Sequence, residues 1–105
     1  MLGTIKRLLG INTTTVNYAE LVKKGAIILD VRTTGEYANG HIRGSINIPL
    51  DQLTKNFSKL KNKEQSIITC CASGMRSSSA KGILKSNGYQ DVHNGGGWTS
   101  LKNKL

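Results

Sequence analysis

The stretch SIITCCASGMRSSSAKGIL, Ser66 to Leu84, runs from an apolar segment through two adjacent cysteines into a Gly-containing loop and three serines. Ser66 to Cys71 is a near-continuous apolar run of strand length, the pattern of a parallel strand covered on both faces. Downstream, Ala80, Ile83 and Leu84 form an apolar stripe at helical spacing, with the helix starting near Ser77 and Asn87-Gly88 as its C-cap. Gly82 weakens that helix by about 1 kcal/mol relative to alanine, so tertiary packing has to hold it. The segment therefore reads as strand, loop, helix.

A second buried strand, AIILDV from Ala26 to Val31, precedes it. Asn17 is positioned to cap a short helix running to Lys24, with Tyr18, Leu21 and Val22 inward and Gly25 as the stop. Thr34 to Asn39 makes another turn or two. SINIP is a short third strand ended by Pro49, after which Asp51 is expected to cap a helix carrying Leu53 and Phe57. DVHN reads as a last short strand, and Trp98 with Leu101 begins a closing helix. Strands alternating with helices imply an α/β fold, an open parallel sheet with right-handed crossovers. Such sheets place their sites outside the carboxyl ends of the strands, where Asp30, Arg32 and Cys71 fall.

With 105 residues and 37% apolar content, the chain has material for one core. We read residues 14–105 as that domain and 1–13 as a short capping helix, because Leu2, Ile5, Leu8 and Leu9 recur at helical spacing. Lys6 and Arg7 interrupt that segment, leaving neither a signal-peptide core nor a membrane span. Fifteen basic residues against six acidic ones give a formal charge of +9, which attracts anions without selecting among them. The two cysteines are sequence neighbours, a poor geometry for a disulfide. Reduced thiols and a cytoplasmic location are expected.

Alternation along a strand sends Cys70 and Cys71 to opposite faces. Cys70 then packs as a small hydrophobe between sheet and helix. Cys71 ends the strand, ahead of Ala72, Ser73, Gly74, Met75 and Arg76. A strand–loop–helix turn gathers backbone N–H groups around one point, and the helix N-terminus adds about half a positive charge. A thiol there is expected to ionise more readily than usual. A dianion about 4 Å from the resulting thiolate would be repelled by roughly 8 kcal/mol at an effective dielectric near 20. Arg76 and the N–H groups are the positive charge available to offset it, and Ser77 can add a cap or first-turn donor.

The loop CASGMRS, Cys71 to Ser77, resembles the active-site loop of the rhodanese family, the thiosulfate sulfurtransferases and their single-domain relatives. LDVRTTGEYANGHIRGSINIPL, Leu29 to Leu50, is similar to the family's first signature, and Gly88-Tyr89 and GGGW at Gly95 to Trp98 to its closing motif. The resemblance implies a parallel sheet of about five strands with helices on both faces. It implies Cys71 as the nucleophile that becomes a persulfide, with backbone N–H groups of Ala72 to Arg76 holding the sulfur and Arg76 orienting an anionic donor. Four residues separate Cys71 from Arg76. Related phosphatases and arsenate reductases have five, so a sulfur-sized ring fits better than a phosphoryl site. Asp30 either receives loop N–H bonds or neighbours the cradle, with a structural role preferred. Arg32 either pairs with Glu36 or lines the entrance. His41 and His93 read as structural, because the cradle activates the thiol without a base.

The expected activity is sulfur transfer from thiosulfate or a persulfide, through Cys71, to a thiol or cyanide acceptor. A non-catalytic binding module and a sulfur carrier for a protein or RNA-modifying partner are the alternatives. An acidic protein partner would suit the charge. Nucleic acid is disfavoured, since Lys55, Lys59, Lys61 and Lys63 lack stacking aromatics nearby. No Cys/His cluster has metal-ligand spacing and no cofactor is expected; a monomer is.

Overall fold

In the computed structural model, which describes residues 15–105, the central strand is paired with a neighbour on both sides. That strand, β3 (Ile67–Cys71), is buried at all five positions, as its unbroken apolar run requires. It lies between β1 (Ile27–Asp30) and β4 (Val92–Gly97), and β1 carries the short edge strand β2 (Ile46–Asn47). The order is β2-β1-β3-β4 and all pairings are parallel. These four strands are the ones legible from the residues. The family resemblance implied about five, and a fifth is not among the described residues.

The register places Asp30 beside Cys70 and Thr69 beside Asn94. Beyond Thr69 the pairing slips, and Cys71 lies opposite Gly97. Two steps along β3 thus match three along β4, a bulge at the carboxyl end of the sheet. Gly95 fits there because a Cβ would come within 2.8 Å of Ile68, 2.9 Å of Leu101 and 2.9 Å of the Thr69 carbonyl. Gly96 has φ +80°, which a side chain resists. The glycine run is the bulge.

Two cores flank the sheet. Leu29, Val31, Ile48, Leu53, Ile67, Cys71, Ala80, Leu84, Tyr89 and Val92 fill one face, and Ile28, Ile42, Ile68, Cys70 and Leu101 the other. The first face is covered by helix α3 (Met75–Ser86). The second is covered by α1 (Tyr18–Lys23) and α4 (Trp98–Lys102). Asn17 caps α1 by accepting from Glu20 N–H at 3.0 Å, and Gly25 follows with φ +103°. Helix α2 (Thr34–Ala38) opens on a capping box between Thr33 and Glu36.

Three expectations change. Asp51 does not cap a helix: Pro49, with its fixed φ, starts a 3-10 turn at Leu50–Lys55, so Asp51 lies inside the first turn. Phe57 sits in a separate 3-10 turn, Phe57–Lys59. Helix α3 begins at Met75, two residues earlier than expected, because Gly74 at φ +108° takes the N-cap position. The helix expected over residues 1–13 lies outside the described residues. Among the described residues, no helix is long and apolar enough to cross a membrane.

Candidate active site

The site is built where β3 ends. Pleating sends Cys70 into the core shared with Ile28 and Leu101, and Cys71 to the opposite face beneath α3. Both are free and buried. Burial, then the neighbouring Asp30 carboxylate, push the Cys70 thiol up to about 12. Cys70 is a packing residue.

Cys71 differs although it is only 1% exposed. Its Sγ accepts the Gly74 N–H at 3.0 Å and the Ser77 N–H at 3.3 Å, and lies 3.5 Å from Ser77 Oγ. Burial pushes this thiol up. The Ser77 hydroxyl and the N–H groups of Ser77, Gly74 and Ser73 outweigh that and lower it below its ordinary value. Gly74's left-handed backbone turns its own N–H inward, and the Ser77 N–H belongs to the first turn of α3. Met75 and Arg76 are the other first-turn residues, so their N–H groups have no carbonyl acceptor within the helix.

Ser77 links the sulfur to β4. Its hydroxyl donates to Asn94 Oδ1 at 2.6 Å, while the same oxygen accepts Gly96 N–H at 2.9 Å. That N–H identifies the Asn94 atom as oxygen, so Ser77 presents a lone pair to a protonated Cys71. When the thiol ionises, the hydroxyl can turn and donate to it. Asn94 escaped the sequence reading. Its signal was an amide residue just before three glycines at the carboxyl end of a strand.

Arg76 reaches across to α2. Its Nη1 and Nη2 donate to Glu36 Oε1 at 2.8 Å and Oε2 at 3.0 Å, a bidentate pair. The Arg76 hydrogen bonds, then the Thr33 N–H, hold the Glu36 carboxyl down at about 2. Arg32 therefore does not pair with the Glu36 carboxylate, nor does it line the entrance. It is 4% exposed and closes on Asp30, with Nη2 at 2.7 Å from Oδ2 and Nε at 3.0 Å from both oxygens. The Arg32 N–H also donates to Asp30 Oδ1 at 3.0 Å. Asp30 lies beside Cys70, so this pair serves the opposite face rather than the cradle. Arg32 continues to the Gly40 carbonyl at 2.7 Å and lies 4.6 Å over the Trp98 ring, tying the loop after α2 to the start of α4.

Of the remaining loop residues, Ala72, Ser73 and Met75 are exposed, Gly74 is half-buried and Ser77 is buried. His41 stacks on Tyr37 and bonds the Tyr37 carbonyl through Nδ1, and His93 pairs with Asp91. Neither approaches Cys71 by any hydrogen bond. A cavity of about 320 Å³ lies beside the loop, lined by Val31, Thr33, Pro49, Leu50, Asp51 and Arg76. A larger one, about 770 Å³, opens beside the edge strand and includes no residue of the loop, so size does not mark the chemistry here.

A cysteine floor, backbone N–H groups aimed at its sulfur and an arginine five residues after the cysteine form an anion-holding cradle. The rhodanese-like domain model matches residues 14–104. The chain belongs to the rhodanese family. It is 36% identical over 70 residues to the thiosulfate sulfurtransferase PspE of Escherichia coli (strain K12), across 66% of this chain and 67% of that protein. It is 40% identical over 67 residues to the putative sulfur carrier protein YrkF of Bacillus subtilis (strain 168). That match spans 64% of this chain and 36% of YrkF, about a third of its length. The solved rhodanese with anions from E. coli superposes with a TM-score of 0.68 at 32% identity, covering 72% of this chain and 91% of that one. The rhodanese loop thus has its cysteine on the floor and its arginine on the wall.

Proposed function

We propose that this rhodanese-like chain is a sulfurtransferase that carries sulfane sulfur as a persulfide on Cys71. The observation that carries the reading is the Cys71 Sγ receiving the N–H groups of Gly74 and Ser77 at 3.0 and 3.3 Å. Those donors favour the thiolate, the nucleophilic form, in a place otherwise hostile to charge.

In the first half-reaction the Cys71 thiolate attacks the donor's outer sulfur. A new S–S bond forms to Cys71 as the donor's own bond to that sulfur breaks. Thiosulfate would leave as sulfite, and an organic persulfide would leave as its thiolate. The persulfide's outer sulfur then carries the negative charge, and the first-turn N–H groups of Met75 and Arg76 are the donors in line to receive it. In the second half-reaction an acceptor thiolate or cyanide attacks that outer sulfur and returns Cys71 as thiolate. Kinetics of the ping-pong type follow. The depth of Cys71 suits a single terminal sulfur reaching down the cradle better than a tetrahedral phosphoryl centre. A reducing, cytoplasmic setting fits the cycle because it keeps the resting thiol free.

A second reading, a sulfur carrier that hands the persulfide to a macromolecule, draws support from the likeness to YrkF and from the basic balance. Intact mass spectrometry after incubation with thiosulfate or an organic persulfide tests the main reading. Cys71 should gain one sulfur atom, and cyanide should remove it with release of thiocyanate. Cys71→Ser should abolish the gain while Cys70→Ser retains it. Equal loss in both variants would overturn the assignment.

A further inference from the structure

The arginine of the cradle is already occupied. Both Arg76 amino groups donate to the two oxygens of Glu36, at 2.8 and 3.0 Å, with each side chain about one-third exposed, so the guanidinium charge is already neutralised by a carboxylate. Glu36 is itself fixed. Its Oε1 accepts the Thr33 N–H at 2.9 Å and lies 3.1 Å from the Thr33 hydroxyl, while its own N–H donates to Thr33 Oγ1 at 3.2 Å, completing the capping box that starts α2. Freeing the guanidinium would therefore cost a bidentate ion pair to a carboxylate that is itself anchored.

The charges at the mouth sum to the wrong sign for recruiting a dianion. Arg76 contributes one positive charge and the N-terminus of α3 about half of another. Glu36, Asp51 on the wall shared with Arg76, and the Cys71 thiolate contribute three negative ones. The Asp30–Arg32 pair beneath is neutral as a whole. The chain's overall +9 draws anions from a distance, but within a Debye length of about 8 Å the local groups decide. The wall offers something else. Val31, Pro49 and Leu50 give the 320 Å³ cavity an apolar lining, and Thr33 and Asp51 give it a polar end. That is space for an organic substituent, which thiosulfate lacks.

We infer that the site selects an organic persulfide of low net charge as its sulfur donor, with Glu36 and Asp51 as the specificity-determining residues that disfavour thiosulfate. This rests on the sulfurtransferase reading above. The bookkeeping is that of a persulfide donor: the Cys71 thiolate bonds to the donor's terminal sulfur, the donor's S–S bond breaks, and its inner sulfur departs with the electron pair as a thiolate. Any proton on the terminal sulfur stays with the Cys71 persulfide.

The test is a charge series of donors: thiosulfate, a dianion; cysteine persulfide, a monoanion; and cysteamine persulfide, whose ammonium cancels its sulfur charge. Rates of sulfur uptake at Cys71 are read by intact mass for wild type, Glu36→Gln and Asp51→Asn. Alkylation by neutral iodoacetamide is run beside them to correct for any change in the thiol itself. The thiosulfate-to-cysteamine persulfide rate ratio is expected to rise about tenfold in Glu36→Gln, equivalent to about 1.4 kcal/mol. A smaller rise is expected in Asp51→Asn. Comparing ratios across variants removes the intrinsic reactivity of each donor. A ratio that stays constant or falls in both variants overturns the specificity assignment while leaving the sulfurtransferase reading standing. Failure of Cys71 to take sulfur from any of the three donors overturns that underlying reading instead.

Discussion

Replacing Asp30 with asparagine should separate the support of the fold from the chemistry of the loop. The carboxylate is fully buried and takes four contacts from Arg32: backbone N–H to Oδ1 at 3.0 Å, Nε to both oxygens at 3.0 Å, and Nη2 to Oδ2 at 2.7 Å. An amide keeps one oxygen and turns an NH2 group toward the guanidinium, donor against donor. Arg32 would retain the Gly40 carbonyl at 2.7 Å and the Trp98 face, which do not neutralise it. Breaking a buried pair at one end costs about 3–5 kcal/mol, because the other charge is stranded. With a urea m-value of about 1.5 kcal/mol/M, that lowers the unfolding midpoint by about 2–3 M. A domain of this size has roughly 5–15 kcal/mol in total, so the variant should still fold in the cold. Urea denaturation followed by Trp98 fluorescence reads the loss, and mass spectrometry reads sulfur uptake by the molecules that remain folded. Changing Arg32 to methionine in the Asp30→Asn background should recover part of the lost stability, since the stranded charge goes with it. An unchanged midpoint accompanied by lost sulfur uptake would refute the reasoning and place Asp30 in the cradle.

Other outcomes follow from the same geometry. Iodoacetamide should alkylate Cys71 with a midpoint below the ordinary thiol value of about 8.5, and Ser77→Ala should move that midpoint upward. A pKa lowered by folding contributes stability above the unfolded value that is lost as pH falls through the folded one. The stability gap between wild type and Cys71→Ser, from urea midpoints, should therefore widen as pH rises toward 8.5. Cys70 has the opposite sign: its thiol, pushed up to about 12, favours folding below the unfolded value and the benefit is lost as pH rises through about 12. Cys70→Ala should flatten the alkaline decline of stability, which one group sets at no more than about 1.4 kcal/mol per pH unit. Gly95→Ala should cost about 1–3 kcal/mol by urea titration. Its methyl meets Ile68, Leu101 and the Thr69 carbonyl at 2.8–2.9 Å, and the carbonyl has no rotamer through which to yield.

The strands and the cradle were legible because each is a local pattern. Unbroken apolar runs mark β1 and β3, and the order strand, Gly loop, helix aims the amides at Cys71 whatever the rest of the chain does. The split of Cys70 and Cys71 between faces follows from the pleat alone. What escaped is long-range. Glu36 and Arg76 are forty residues apart, and nothing in either segment indicates that the carboxylate capping α2 also holds the loop arginine. The sequence leaves Arg32 to pair with Glu36 or line the entrance, but Asp30, at the end of the strand two residues before it, is already within reach. Asn94 reaches Ser77 from the last regular pair before the β4 bulge, opposite Thr69, and that cross-strand register is not written in one strand's sequence. The start of α3 was missed for a different reason. A helical stripe shows where apolar contacts begin, while Gly74, with φ +108°, sets where the backbone begins to turn.

The Arg76–Glu36 pair decides which groups meet the incoming charge. If Arg76 were a free cation, the cradle would be a general anion trap, and the amides and the guanidinium would act on the same incoming charge. Paired with Glu36, the guanidinium is a strut that fixes the first turn of α3 against α2, leaving the reacting sulfur to main-chain N–H groups and the Ser77 hydroxyl. Backbone donors cannot change rotamer, so in the proposed cycle the Gly74 and Ser77 N–H groups stay aimed at the Cys71 sulfur while the first-turn N–H groups of Met75 and Arg76 serve the outer sulfur of the persulfide. The proposed two-step transfer needs donors for both forms, because a site that bound either one far more tightly would stall in that half of the cycle.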